Sequence, residues 1–327
     1  MLGWLGYRTV SFLADHLPKG LQYACASGFA DLYRLTHPQT RRAVEANLKA
    51  ILGSEATPST VRAAAKTCFR HFGHSICELM GTRRFGTKFL EQHMEVRGLE
   101  HIDAALAQGK GVLLVSGHFS NWEMGGAELA RRGTPVLYVV QPQRDPRAHR
   151  FFVERRAERG IEVATTEVAG RSILRTLRQN RAVAILADRG TGGPTIDVEI
   201  FGRTLATPQG PWRSAEYTGA PVVPGFVTRK ADKTFRLEFH PAVSAGEGSP
   251  ESFQARLAQA WTRVFEAQLR ASPEQWVMFF PAFENLSAPR SAKPALSKGW
   301  GAEASASAPE WALAHAGAGT SSREERA

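Results

Sequence analysis

Two residue types able to do proton chemistry sit close together in the stretch GVLLVSGHFSNWE, Gly111 to Glu123: His118 directly after an apolar run, and Glu123 five residues later. A histidine beside a carboxylate is a general base with its tautomer and orientation fixed. The carboxylate accepts a proton from one ring nitrogen, and the other nitrogen is free to take a hydroxyl proton. Such a base contributes roughly 10²- to 10⁴-fold in rate. The plainer alternative is a histidine that satisfies a strand end and a glutamate that serves as a helix-start anion.

The elements needed to position this pair can be read around it. Val112, Leu113, Leu114 and Val115 are too few for a helix and too uniformly apolar for a half-exposed strand, so they predict a buried central strand. Ser116 and Gly117 end it. Asn121, also a substrate-binding candidate, is placed to cap the following helix, with Glu123 in its first turn, where the helix dipole favours an anion. In one continuous helix, five residues turn two side chains roughly 140° apart. His118 must therefore precede the first turn if it is to meet Glu123.

Three further segments carry candidate groups. VVQPQRDPR leaves a strand with Gln141, Arg144, Asp145 and Arg147, and the arginines can hold phosphate bidentately or stand as solvated loop charge. ILADRGTGGP ends a second strand in a charged, glycine-rich loop, whose spacing is neither that of a P-loop nor that of a dinucleotide fingerprint. There Asp188 and Arg189 are substrate-binding candidates, although Asp188 can serve simply to hold Arg189. In IDVEIFGR, Asp197 and Glu199 share a strand face, and Glu199 is either a second acidic site group or a solvated residue. No G-x-S-x-G occurs, and Ser120 is too near His118 in sequence for a serine–histidine pair. No second histidine or cysteine stands at ligand spacing to His118, so no metal is expected.

The 327-residue chain has a formal charge of +10, which implies an anionic partner: nucleic acid, a membrane surface or an acidic protein. Aromatic residues are not interleaved with the bases, which weakens nucleic acid. Cys25, Cys68 and Cys77 lack metal-type spacing and read as buried thiols in a reducing, cytoplasmic compartment. No apolar run reaches the roughly 20 residues of a spanning helix. Residues 1–50 read instead as an amphipathic helical hairpin, broken at HLPKG and followed by Arg34, Arg41, Arg42 and Lys49, as suits a membrane interface. Beyond a long helix from Thr57, short β runs alternate with helices. The expected fold is thus α/β, a mixed central sheet flanked by helices, with the N-terminal hairpin. The divisions are 1–50 for the membrane-interface segment, 51–286 for the α/β domain, and 287–327 for a Ser/Ala/Gly/Pro-rich tail expected to be disordered.

GHFSNWE, a histidine, four residues and a glutamate, resembles the signature of the lysophospholipid acyltransferase superfamily, in particular its lipid A biosynthesis lauroyl/myristoyl acyltransferases. LLVSGHFSNWEMGG, VEIFGR, TGAPVVPGFV and PEQWVMFFPAF resemble that branch in the same order, so the likeness covers about residues 1–283. It implies a membrane-associated O-acyltransferase with no cofactor. Acyl carrier protein or coenzyme A would deliver the acyl thioester, and a glycolipid or lysolipid hydroxyl at the cytoplasmic face of a bacterial inner membrane would receive it. His118 would be the base and Glu123 its support. Gln141-Pro142 departs from the family's Arg-Pro, and Asp188-Arg189-Gly190 is closer to relatives that acylate phosphatidylinositol mannosides. A thioesterase or lipid hydrolase, and a non-catalytic basic peripheral membrane protein, are the alternatives.

Overall fold

The computed structural model describes residues 2–190, 193–247 and 252–284; the tail expected over 287–327 lies outside them. The chain opens with α1 (Leu2–His16), α2 (Lys19–Thr36) and α3 (Pro38–Leu52), all packed on α4 (Pro58–Met80). The expected hairpin thus acquires a third helix. Pro38 ends α2 and starts α3, since a proline lacks the N–H that a helix interior needs and a first turn does not. The Thr57 hydroxyl caps α4 by accepting from the Thr60 amide at 3.2 Å.

The α/β part follows as α5 (Thr87–His93), β1 (Met94–Arg97), α6 (Leu99–Leu106), β2 (Val112–Ser116), α7 (Trp122–Arg131), β3 (Val136–Val140), α8 (Pro146–Ala157), β4 (Glu162–Thr165), α9 (Ala169–Arg178) and β5 (Ala182–Leu186). It continues through β6 (Thr195–Ile200), β7 (Arg203–Pro208), α10 (Gly210–Thr218), β8 (Val222–Arg229), β9 (Phe235–Phe239), α11 (Phe253–Ala271), a single 3-10 turn at Pro273–Gln275, and β10 (Phe283–Glu284). Seven strands form one mixed sheet in the order β1-β9-β8-β2-β5-β3-β4, with β8–β9 the antiparallel pair. A smaller antiparallel sheet, β10-β7-β6, shares one core with it through Val198, Ile200 and Leu205.

β2 is the middle strand, which is why its run is uniformly apolar. Leu113 and Val115 face a core with Trp212, Trp261 and Phe265, whereas Val112 and Leu114 face one with Met124, Val227 and Leu237. Alternate residues of a strand point to opposite faces, so a strand covered on both sides has no polar face. β1, β7 and β10 were not expected from the sequence, since MEVR and RTLATP carry too few apolar residues to stand out. On α1 and α2 a row of apolar residues stays exposed, including Phe12, Leu13, Leu21, Phe29, Leu32 and Leu35, the last two at 58%. Cys25 is also exposed there, contrary to the expected buried thiol, because it lies on the outward face of α2; Cys68 is buried and Cys77 half-buried. Among the described residues, no helix is long and apolar enough to cross a membrane.

Candidate active site

β2 and β5 lie side by side and parallel, with Ser116 in register with Leu186. The residue two places beyond each strand end, His118 on one and Asp188 on the other, therefore meet. His118 Nδ1 lies 2.8 Å from Asp188 Oδ1, and the His118 amide donates to Oδ2 at 2.8 Å. The Trp276 indole donates to the same Oδ2 at 2.7 Å. Asp188 is wholly buried. Burial by itself would raise its pKa, but the His118 ring, the indole and the amide outweigh it and hold the carboxyl below its ordinary value. An ionised Asp188 can only accept, so Nδ1 carries the proton and Nε2 presents its lone pair.

The turn that bears His118 is tightly specified. A Cβ on Gly117 would fall 2.6 Å from the Phe265 ring, so any larger residue there must displace that buried ring. Val277 donates to the His118 carbonyl at 2.8 Å and Ser120 to the Gln275 carbonyl at 2.7 Å, while Ser120 takes a left-handed φ of 51°. The Trp122 ring meets the imidazole edge to face, with centroids 5.2 Å apart.

Glu123 stands in the first turn of α7 as expected, but its structural partner is Arg156 on α8. The guanidinium reaches it through Nη2 at 2.6 Å and Nε at 3.0 and 3.1 Å, and both side chains are buried. Burial alone would lower the Arg156 pKa; the Glu123 charge and hydrogen bonds raise it instead. The carboxylate bonded to the His118 ring is thus Asp188, while Glu123 is bonded to Arg156. The parallel register of Ser116 with Leu186 brings the residues just beyond the two strand ends together.

The other candidates are dispersed. Asn121 occupies the N-cap position but makes no cap bond; its amide donates to Glu78 on α4 at 2.6 Å. Arg189 lines the same cavity as His118, with its guanidinium 4.4 Å from the Phe280 ring centroid, and burial lowers its pKa to about 10, which keeps it cationic. Arg144 and Arg147 lie exposed on the loop and start of α8, with Arg147 bonded to Asp145 at 2.9 Å, while Gln141 and Gln143 reach the cavity. Glu199 is exposed, because neighbouring Val198 and Ile200 take the buried side of β6. Arg156, Trp276 and Glu78 could not be found from sequence, since each is brought in from a distant element. Asp188 is a candidate in the sequence already, as a substrate-binding residue; what the sequence does not supply is its bond to the His118 ring.

The cavity holds about 420 Å³ and opens at the ends of β2, β3 and β5. Its inner wall is apolar, formed by Leu114, Gly125, Leu129, Val227, Leu237 and Phe239; its polar lining includes His118, Glu123, Gln141, Gln143, Arg156 and Arg189. It runs beside α7, where Trp122 and Leu129 are about 10 Å apart along the axis. A Cβ on Gly125 would approach Val227 to 2.9 Å, and one on Gly225 would approach Phe239 to 2.6 Å, so these glycines let the helix and strands close on the space. Among the described residues, no group of three metal-ligating side chains gathers.

The chain is similar to proteins named as acyltransferases. A phosphatidylinositol mannoside acyltransferase of Mycobacterium tuberculosis is 29% identical over 57% of this chain and 58% of its own length. A lipid A biosynthesis acyltransferase of Haemophilus influenzae is 27% identical over 58% and 59%. A lipid A biosynthesis lauroyltransferase of Escherichia coli is 25% identical over 86% and 91%. The match thus spans under two thirds of the first two relatives. The family model for bacterial lipid A biosynthesis acyltransferases covers residues 1–285, and the chain belongs to that family.

Proposed function

We propose that the protein is a membrane-associated O-acyltransferase that moves a fatty acyl chain from a thioester to a hydroxyl of a glycolipid or lysolipid. The observation that carries this reading is the bond between the buried Asp188 and His118, whose ring lines a cavity with a largely apolar inner wall. The chain of the donor fills the cavity, bringing its thioester carbonyl to the imidazole. His118 Nε2 takes the proton from the acceptor O–H as that oxygen bonds to the carbonyl carbon. Asp188 stabilises the resulting imidazolium, and the cationic Arg189 faces the charge developing on the carbonyl oxygen. The C–S bond then breaks, and the imidazolium returns its proton to the leaving thiolate.

The acceptor is assigned to the glycolipid class because the relatives are named for phosphatidylinositol mannoside and lipid A. The donor is an acyl carrier protein or coenzyme A thioester, either of which is an anionic partner for a chain of charge +10. The exposed apolar row on α1 and α2, with Arg34, Arg41 and Arg42 close behind, supports seating on the anionic cytoplasmic face of the inner membrane.

His118→Ala and Asp188→Asn, assayed for acyl transfer in membranes, are expected to lower kcat by roughly 10²-fold or more. Full activity in His118→Ala would sink the mechanism. Free fatty acid as the main product with acceptor present would replace transfer by thioester hydrolysis.

A further inference from the structure

A second buried ion pair lies behind the His118 turn. Glu78, fully buried on α4, receives Arg229 of β8 through Nη1 at 2.6 Å and Nη2 at 2.7 Å. Its Oε1 also accepts from the Tyr23 hydroxyl of α2, and its Oε2 from the Asn121 amide at 2.6 Å. Arg229 reaches the same turn by a second route. Gln275 exchanges hydrogen bonds with the Arg229 backbone at 2.8 and 2.9 Å, and its own carbonyl accepts the Ser120 amide at 2.7 Å. The Ser75 hydroxyl joins the two, accepting from Arg229 at 3.3 Å and lying 3.4 Å from the Ser120 carbonyl.

Two observations separate this cluster from ordinary core packing. Burying such a pair gains little stability over apolar residues of similar volume, so stability alone does not account for it. Moreover, Asn121 stands where its side chain could cap α7, yet it turns away to meet Glu78. That bond lies three residues from His118, which must meet both Asp188 and a substrate, and a displacement of about 1 Å at a reacting group can cost on the order of 10²-fold in rate.

We propose that Glu78 is a positioning residue for His118: held by Arg229 and Tyr23, it fixes Asn121, and through it the turn that presents the imidazole. The inference rests on His118 acting as the base. Because Tyr23 lies on the inner side of a helix whose outer side is exposed and apolar, the same carboxylate joins α2 to the site.

The test uses full-length protein labelled with ¹⁵N-histidine in detergent micelles. The Nδ1–H resonance of the His118–Asp188 bond is assigned by its loss in His118→Ala. Asn121→Ala leaves the Glu78–Arg229 pair intact and is expected to shift or broaden that resonance. In membranes it is expected to lower kcat on the order of 10²-fold with KM for the thioester unchanged. Glu78→Ala should do the same and Glu78→Gln less, since glutamine keeps an acceptor oxygen for Asn121. Should Glu78→Ala fail to fold, Asn121→Ala decides. An Asn121→Ala protein with unaltered resonance and kcat would overturn the proposal while leaving the base reading intact; transfer surviving in His118→Ala would overturn the base reading itself.

Discussion

At the scale of single residues, the site is two buried carboxylates with different partners. Asp188 orients the imidazole, whereas Glu123 neutralises Arg156 at the cavity wall. Removing one member of such a buried pair strands the other charge, so Arg156→Ala is expected to cost about 3–5 kcal/mol in urea unfolding, and the paired change Glu123→Gln with Arg156→Met to recover much of it. Asp188 and Glu78 are both held below the ordinary carboxylate values of 3.8 and 4.5, although burial opposes this in each. The sign follows from proton binding: the unfolded chain takes up protons on these groups at a higher pH than the folded one does. Their contribution is therefore complete above the ordinary carboxylate range and lost as pH falls below it through the folded values. Urea midpoints measured between neutral pH and about pH 3 should decline on the acid side, and Asp188→Asn should flatten that decline.

At the scale of elements, α7 does two jobs from opposite ends. Its start carries Trp122 against the imidazole and Glu123 against Arg156, and Gly125 and Leu129 wall the cavity. Leu129 is buried at 3% and remote from the turn that bears His118. Leu129→Phe adds volume to the wall and should shift donor preference toward shorter acyl chains, read by competing thioesters of different length in one assay, with kcat for the favoured donor retained. An unchanged chain preference would mean that the chain does not extend along α7. Gly126 limits what this helix can carry: a Cβ there would fall 2.3 Å from the Tyr138 hydroxyl, which itself donates to the Trp122 carbonyl at 2.8 Å.

At the scale of the molecule, the exposed apolar row of α1 and α2 lies on the far side of the helix that sends Tyr23 to Glu78. An apolar surface left on a charged protein marks a contact, and neighbouring bases add about 1 kcal/mol each near anionic lipid. Phe29→Glu with Leu32→Glu should lower partition onto vesicles containing anionic lipid by tenfold or more, on the order of the two side chains' lost burial. Raising salt should weaken the wild-type partition without abolishing it. Vesicle sedimentation measures both. Partition that is unchanged in the double variant would move the contact elsewhere.

Much of the site was legible in the chain itself. The uniformly apolar Val112–Val115 run predicts a strand covered on both faces, Gly117 and Asn121 bracket a strand-to-helix turn, and Glu123 falls in the first turn of the helix. These are local properties: strand burial, φ/ψ limits and helix starts are set by neighbours in sequence. Which carboxylate meets His118 was not local. Spacing along the chain favoured Glu123, but the order and register of the sheet put Asp188 at the imidazole and sent Glu123 to an arginine 33 residues away. The same holds for Glu78, Arg229 and Trp276, which the packing of α4, β8 and the segment after α11 delivers to one turn. Hydrophobic pattern specifies that a strand is buried; strand order, which decides what stands beside its end, is fixed only when the layers assemble.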